Sequence, residues 1–327
     1  MTASPATPDE GPPGNPGDGA GGPRPVHPAG RALRQVAVIG DGTGSGPSGP
    51  PGRPLAAALA CDAATIQGMA GIPTVTSPIA EWDTADKIAA QIGRLPVRVT
   101  AVLLTRTSPT RARSVQRLVE QAGGRPVLTD EDATAIALTA AAVVYLRGLG
   151  RDPHHSTILI AAAIRMPILS ALLLATGFPD ITLWNISDAA WFPLHRAARD
   201  ADVVIDLQHD PAGDPTDSNP TGAPAGGDLR AVGFELDRPE GSVITPLALD
   251  GRTLVAPGLL RALAQYPATA PPLGLGIYGA VARAVAHATP TRRHLHGPPG
   301  DVVRPGAHDV ADAISDAVAL HLTLARP

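Results

Sequence analysis

The chain offers few side chains whose type and spacing could carry chemistry by themselves. Its single cysteine, Cys61, excludes an intrachain disulfide framework and a cysteine-rich zinc site, and is most simply a small buried apolar residue. Two histidine groups, His154–His155 and His294–His296, lack a nearby third ligand at metal spacing and are interpreted as solvated loop residues. The segment Gly44–Gly46 lacks the strand-to-helix turn of a nucleophile elbow, so no nucleophile triad is indicated.

The elements that must position any site alternate between short apolar strands and helices, which predicts an α/β fold with parallel sheets. The predicted strands are Val36–Ile39, Ile72–Val75, Val97–Leu104, Pro126–Leu128, Thr157–Ala161, Ile181–Trp184, Val203–Leu207, Ala231–Phe234 and Thr253–Val255. The predicted helices are Leu55–Met69, Asp83–Ile92 with Asp83 as the cap, Ser108–Gln121 with Ser108 as the cap, Asp130–Tyr145, Pro167–Thr176, Leu259–Gln265, Tyr278–His287 and Val310–Leu322. Length and element order predict two domains, the second of them doubly wound.

Composition limits the partners and the ordered part of the chain. Glycine and proline account for 35 and 36 of the 327 residues, and the net charge is −4 with scattered arginines, which argues against a nucleic-acid partner. Residues 1–30 combine Gly and Pro with almost no large apolar side chain, so we predict a disordered tail there and a disordered loop near 209–228. The N-terminus shows no basic segment followed by an apolar run, which predicts a cytoplasmic protein.

A membrane hairpin is the alternative for the most apolar part of the chain. Thr157–Phe178 is long enough to span a bilayer, and Ala133–Leu146 precedes it. Arg165 and Pro167 lie near the middle of the span, where a charge costs about 2.5 to 3.5 kcal/mol. A strand, a turn and a helix explain the same residues without that cost, so no membrane contact is predicted.

Four collinear stretches carry a resemblance to a known family. They are Val36–Thr43 with the later Ala70–Ile72, Pro126–Ala135, Ser156–Asn185 and Leu254–Arg261. In this order and at near-matching spacing they resemble the malic enzyme family, particularly its bacterial branch. The resemblance implies a malic-enzyme N-terminal-like domain over 31–128. It also implies a Rossmann-like, doubly wound nucleotide-binding-type domain over 129–327.

The resemblance also implies a reaction and the groups that it needs. In an active member, Mg²⁺ or Mn²⁺ polarises the substrate oxygens, a lysine and a tyrosine move protons, and NAD or NADP accepts the hydride. Asp62 falls at the position of the lysine, where its opposite charge predicts an inactive residue. The only lysine, Lys87, lies on another predicted helix, and no tyrosine occurs before Tyr145.

The metal ligands of the family are largely missing. The adjacent Glu-Asp pair that binds metal in the family aligns with Leu104–Arg106 of this chain. No acidic residue occurs from Lys87 to Val119. Asp130 is what remains of the metal set. The trio Asp130–Asp132 is also explained as the acidic first turn of a helix, so metal binding and helix capping both stay open for it.

The nucleotide-binding loop of the family has lost its glycines. The matching positions include Ala161, Ala163, Arg165 and Met166, and Asn185 stands where an acidic residue would hold the ribose. Asparagine can still bond a ribose, and Arg165 near a helix N-terminus could attract an anion. On the substrate side, Arg252 is one of two residues that replace an Asn-Asn pair.

These losses predict a malic-enzyme-like pseudoenzyme, a non-catalytic binding or regulatory scaffold without a cofactor. The alternative is a diverged but active NAD(P)-dependent oxidoreductase or decarboxylase acting on a small carboxylate, with Asp62, Asp130, Arg106 and Arg165 as candidates. Because the family forms dimers, a homodimer or a heterodimer with a malic-enzyme paralogue is a further expectation, and a small carboxylate is a possible ligand.

Overall fold

The first four strands form one parallel sheet. The computed structural model describes residues 34–44, 54–208, 241–246, 249–265, 273–290 and 306–324. The four strands are β1 (Gln35–Gly40), β2 (Thr74–Pro78), β3 (Val99–Leu104) and β4 (Val127–Thr129). They lie in the order β2-β1-β3-β4 and are connected by helices α1 (Leu55–Ala70), α2 (Ala85–Gly93) and α3 (Pro109–Gln121). Val38 of β1 pairs with Thr76 and Leu103. Both faces of β1 are buried, which explains its unbroken apolar sequence.

The second sheet repeats this arrangement. Its strands are β5 (Thr157–Ala161), β6 (Asp180–Trp184), β7 (Val203–Asp206) and β8 (Val243–Ile244), all parallel and in the order β6-β5-β7-β8. Helices α5 (Ile168–Thr176) and α6 (Leu194–Arg199) connect the first three of these strands. The helices α7 (Gly251–Gln265), α8 (Leu275–Ala288) and α9 (Ala307–Leu324) follow and pack against one another.

One long helix, α4 (Asp130–Leu149), leads from β4 towards the second sheet. It begins with a capping box, in which Thr129 and Asp132 each bond the other's backbone N–H. Among the described residues it is the one helix long and apolar enough to cross a membrane. Ile136 and Leu138 are fully buried, and α4 packs against α5, α7 and α8. Its apolar sequence is therefore explained as that of a core helix.

In each sheet the strand order reverses at one point, between β1 and β3 and between β5 and β7. Ligands of open α/β sheets bind outside the carboxyl ends of the strands at such points. We use "first crevice" for the place where Gly40–Gly44 and Thr105–Ser108 follow β1 and β3. We use "second crevice" for the place where Ala162–Met166 and Leu207–Gln208 follow β5 and β7.

The three tryptophans of the chain are in different environments. Trp184, at the end of β6, is buried, and its indole Nε1 donates to the Phe192 carbonyl at 2.8 Å. Trp82 and Trp191 are 81% and 90% exposed.

The parallel α/β architecture predicted from the sequence is confirmed, and β5 has the predicted bounds. Thr157–Phe178 forms a strand, a short turn and a helix, as expected in place of a membrane span. The predicted strand Thr253–Val255 is wrong, because these residues lie in α7. The Asp250 carboxylate accepts from the Thr253 backbone N–H at 3.1 Å, so it caps the helix and overrides the strand preference of Thr253 and Val255.

Smaller corrections concern caps and burial. Thr84 occupies the N-cap position of α2 without a capping hydrogen bond from its side chain, whereas the predicted cap Asp83 forms an ion pair with Lys87 at 3.7 Å, one turn on. Cys61 is exposed on the outer face of α1, so its expected burial is wrong. The short elements β8 and α6 were not predicted.

Several predictions lie outside the described residues: the tail 1–30, the loop 209–228, the strand Ala231–Phe234 and the histidines His294–His296. The domain boundary between residues 128 and 129 falls within β4, before its last residue Thr129, and stays a prediction.

Candidate functional site

The first crevice contains an ion pair between Asp62 on α1 and Arg106, which follows β3. Arg106 donates from Nε to Asp62 Oδ2 at 2.7 Å and from Nη2 to Asp62 Oδ1 at 3.0 Å. This two-point contact matches the flat guanidinium to the flat carboxylate. The two side chains are 23% and 13% exposed, so the pair is largely shielded from water.

The backbone of Arg106 is held as firmly as its side chain. Its φ is +53°, a left-handed conformation that costs a residue with a Cβ roughly 1–2 kcal/mol. The Arg106 N–H donates to Asp130 Oδ2 at 2.8 Å, and the buried Thr105 hydroxyl donates to the same oxygen at 2.9 Å. Arg106 is therefore fixed between α1 and the start of α4, which explains how the unusual backbone conformation persists.

A second arginine enters the crevice from α7. Arg252 Nη1 donates to Asp62 Oδ2 at 3.0 Å and to the Thr105 Oγ1 at 3.1 Å, and its Nε lies 3.9 Å from Asp130 Oδ1. The preceding Gly251 determines its reach, because a Cβ there would lie 2.8 Å from the backbone of Ala133 and Thr134 on α4. Glycine lets α7 begin directly against α4.

The four charged groups form a neutral cluster, hereafter the "ion cluster": Asp62, Arg106, Asp130 and Arg252. The hydrogen bond to Asp62 raises the pKa of the Arg106 guanidinium. Burial raises the pKa of the Asp130 carboxyl. Asp130 Oδ1 is buried and has no hydrogen-bond partner, although the Asp130 side chain is 36% exposed overall.

A divalent cation does not fit the ion cluster. Both oxygens of Asp62 accept from arginines, and Asp130 Oδ2 accepts two hydrogen bonds. A metal near the remaining Asp130 Oδ1 would face the guanidinium of Arg252. Within the part of the chain that the structure describes, no three His, Cys, Asp or Glu side chains are grouped to hold a metal. Mg²⁺ and Mn²⁺ need several oxygen ligands, which the described residues of this crevice do not supply.

The second crevice is closed by a different set of contacts. Arg165 Nη1 donates to the carbonyls of Gln208 and Leu207, at 3.1 and 3.4 Å, and so bridges the loops that follow β5 and β7. Asn185 Oδ1 accepts from the Ile164 N–H at 3.0 Å, so this amide holds the loop where a ribose was expected. Ala162 has φ +58°, a conformation that glycine adopts without strain.

A dinucleotide does not fit the second crevice as it stands. The loop Ala161–Met166 brings the predicted positions Ala161, Ala163, Arg165 and Met166 together beside Asn185, but none of them is a glycine. In dinucleotide-binding loops, glycines at such positions let the pyrophosphate approach the backbone. Nη1 of Arg165 bonds carbonyls of this chain.

A buried polar group lies behind the first crevice. Asp132 Oδ2 accepts from the Thr129 hydroxyl at 2.8 Å, the Thr129 N–H at 3.0 Å and Gln116 Nε2 at 2.8 Å. Burial raises the pKa of Asp132 and that of Tyr278 nearby. Asp132 therefore serves as the helix cap predicted for the acidic trio.

Sequence reasoning named Asp62, Arg106 and Asp130 as candidates and noted Arg252 only as a replacement of the Asn-Asn pair, and it did not predict the contacts between them. By the resemblance, Asp62 stands at the position of a lysine and Arg106 at that of a metal-binding carboxylate. Each residue therefore carries the charge opposite to that of the group it replaces. This paired reversal of charge was the available signal for a direct contact. The role of Thr105, which bonds both Asp130 and Arg252, had no signal in the sequence.

Comparison with solved structures finds malic enzymes. The Pyrococcus horikoshii enzyme superposes with a TM-score of 0.63 at 16% identity, over 89% of this chain and 76% of that one. The Entamoeba histolytica enzyme gives 0.59 at 17% identity, over 88% and 70%. The NAD-dependent enzyme of Thermotoga maritima gives 0.58 at 14% identity, over 88% and 84%. No family model and no curated protein matches by sequence. The malic-enzyme-like fold is therefore shown by structure at low identity.

Proposed function

We propose that this malic-enzyme-like chain has lost the oxidative decarboxylation of malate and acts as a non-catalytic binding or regulatory scaffold. The observation that carries the proposal is the ion pair of Asp62 with Arg106. The resemblance implies a proton-transferring lysine at the first position and a metal-binding carboxylate near the second. Here the two replacements neutralise each other across the crevice.

The chemistry of the ion cluster supports this proposal. An arginine stays protonated in proteins, so neither Arg106 nor Arg252 can act as the general base that a lysine provides. The carboxylate of Asp62 is engaged by both arginines. Hydride transfer would in addition need NAD or NADP in the second crevice, where Arg165 and Asn185 bond the chain itself.

The competing hypothesis is a diverged, active oxidoreductase or decarboxylase that uses NAD or NADP with Mg²⁺ or Mn²⁺ on a small carboxylate. One observation favours it. The half-buried carboxyl of Asp130 has a raised pKa and an oxygen without a partner, which are properties of catalytic acids and bases.

A turnover assay separates the two hypotheses. The purified full chain is mixed with malate, NAD or NADP, and Mn²⁺, and the absorbance of the reduced nucleotide is followed, with the Pyrococcus horikoshii enzyme as the positive control. We expect no malate-dependent reduction. Turnover of about 1 s⁻¹ or faster, within the range of ordinary enzymes, would contradict the proposal.

Ligand-induced stabilisation provides a second measurement that does not depend on turnover. A ligand at about 100 times its Kd stabilises a protein by about 2.7 kcal/mol. We expect no thermal shift with Mn²⁺, NAD, NADP or malate. A shift with nucleotide and metal together would favour the enzyme.

We also propose that the scaffold acts within an assembly, either a homodimer or a heterodimer with a malic-enzyme paralogue. Copurification from the native cell tests the heterodimer, and sedimentation of the pure chain tests the homodimer. A strictly monomeric chain that recovers no partner contradicts both forms.

A further inference from the structure

The guanidinium of Arg252 lies among three oxygen atoms contributed by separate elements. Its Nη1 is 3.0 Å from Asp62 Oδ2 on α1 and 3.1 Å from Thr105 Oγ1 after β3. Its Nε faces Asp130 Oδ1 at the start of α4. The first crevice is therefore an oxygen-lined site in which this chain places a cation of its own.

Arg252 fills this site incompletely. The distance from its Nε to Asp130 Oδ1 is 3.9 Å, too long for a hydrogen bond, and this buried oxygen has no other partner. A buried carboxylate oxygen without a donor costs free energy. The position of Arg252 is limited by α7, whose first residue lies against the backbone of α4. A cation that is not attached to α7 could approach all three oxygens.

The charges select the class of ligand. Without Arg252, the remaining members of the ion cluster, two aspartates and Arg106, sum to −1. A monovalent cation restores neutrality, whereas a divalent metal leaves an excess positive charge beside Arg106 and an anion adds to the negative charge. The distances of 3.0 and 3.1 Å to nitrogen suit an N–H donor.

We propose that the first crevice binds a small organic cation with N–H donors, a guanidinium or a primary ammonium, and that Arg252 is its intramolecular competitor. Arg252 is 31% exposed, so its flexible side chain can turn towards solvent while α7 stays in place. The proposal deepens the proposed function, on which it rests, by giving the binding scaffold a ligand class. Binding and malate turnover are measured separately, so that either proposal can fail alone.

Titration calorimetry with methylguanidinium tests the proposal on the full chain. The test variant is Arg252→Met and the matched control is Arg261→Met, which removes an arginine of the same helix and the same 31% exposure, paired with Asp312 away from the crevice. If Arg252 occupies the site about nine-tenths of the time, removing it makes binding about tenfold tighter. We expect this gain for Arg252→Met and wild-type affinity for Arg261→Met.

Two further measurements identify the site. Adding Asp130→Asn to Arg252→Met removes the unpartnered carboxylate oxygen and should abolish the gain. Tetramethylammonium, a cation without N–H donors, should not bind. If Arg252→Met does not fold, Arg252→Gln is used, with folding verified by circular dichroism. Equal methylguanidinium affinity in the Arg252 and Arg261 variants overturns the proposal, and so does equally tight binding of tetramethylammonium.

Discussion

The two sheets have the same strand order, yet their crevices are closed by different physical means. In the first crevice, Arg106 and Arg252 pair with carboxylates that come from elements far apart in the chain. In the second, Arg165 bonds backbone carbonyls and Asn185 bonds a backbone N–H, without an ion pair to either residue in the described structure. Ion pairs bridge the first crevice, and hydrogen bonds to the backbone bridge the second.

This difference separates two routes by which a ligand site can close. In the second crevice the contacts of Arg165 and Asn185 are independent of each other, because each side chain bonds a backbone group. The first crevice needs matched changes, since an arginine without its aspartate would be a largely buried charge without a partner. The first crevice therefore depends on the matched charges of Asp62 and Arg106, whereas the contacts of the second crevice do not depend on one another.

The largest expected effect tests the ion pair. We expect Arg106→Ala to lower the free energy of unfolding by about 2 to 3 kcal/mol, because Asp62 loses its two-point partner in a shielded site. Urea unfolding measures the change. Arg261→Ala removes a more exposed pair and should cost at most about 1 kcal/mol. Equal losses of unfolding free energy in the two variants would show that burial in the crevice does not strengthen the ion pair.

The next largest expected effect is on the pH dependence of the free energy of unfolding, which differs between the two crevices. The carboxyls with a raised pKa among the described residues, Asp130 and Asp132, belong to the first crevice or the start of α4. Their contribution to stability is fully present below the ordinary value of 3.8 and is lost as the pH rises through the higher folded value. Asp132→Asn keeps an accepting oxygen and cannot ionise.

We therefore expect the unfolding free energy of Asp132→Asn to fall less than that of the wild type as the pH rises above about 4. One carboxyl contributes at most about 1.4 kcal/mol per pH unit. Urea unfolding at a series of pH values measures this, with Asp312→Asn on the surface as the control. A variant whose profile parallels that of the wild type would contradict the assignment.

A smaller effect is expected in the second crevice. Arg165→Ala removes the bridge to the carbonyls of Leu207 and Gln208, and we expect a loss of about 1 kcal/mol, typical of a single intramolecular hydrogen bond. Chemical unfolding measures this loss, with Arg106→Ala measured in parallel for comparison. A loss as large as that of Arg106→Ala would remove the distinction between the crevices.

The smallest effect compares the two left-handed residues. Ala162→Gly should raise the free energy of unfolding by about 0.5 kcal/mol, because glycine relieves the strained backbone but is more flexible when unfolded. Arg106→Gly should lower it despite the same relief, because the ion pair is lost. The two substitutions are compared by thermal unfolding. A gain in stability at both positions would mean that the ion pair contributes little.

The sequence predicted the elements better than the contacts between them. The strand β5 was found with its bounds because a threonine and four apolar residues lie between a turn and a loop, and all the information is local. Asp250 was missed as a cap because the β-branched residues that follow it favour a strand. The meeting of Asp62, Arg106 and Arg252 spans 190 residues, and no local pattern encodes it. The fold was thus predictable, whereas the contacts that join Asp62, Arg106 and Arg252 were not.

The burial of Trp184 makes the intrinsic fluorescence of this protein a local probe. Trp82 and Trp191 are mostly in water, so their emission changes little on unfolding, whereas Trp184 lies at the end of β6 in the second sheet. The spectral shift consequently reports on the second sheet, and far-ultraviolet circular dichroism reports on both. Coincident transitions in fluorescence and circular dichroism would mean that the two sheets unfold as one cooperative unit. Separate transitions would mean that the two sheets unfold at different temperatures.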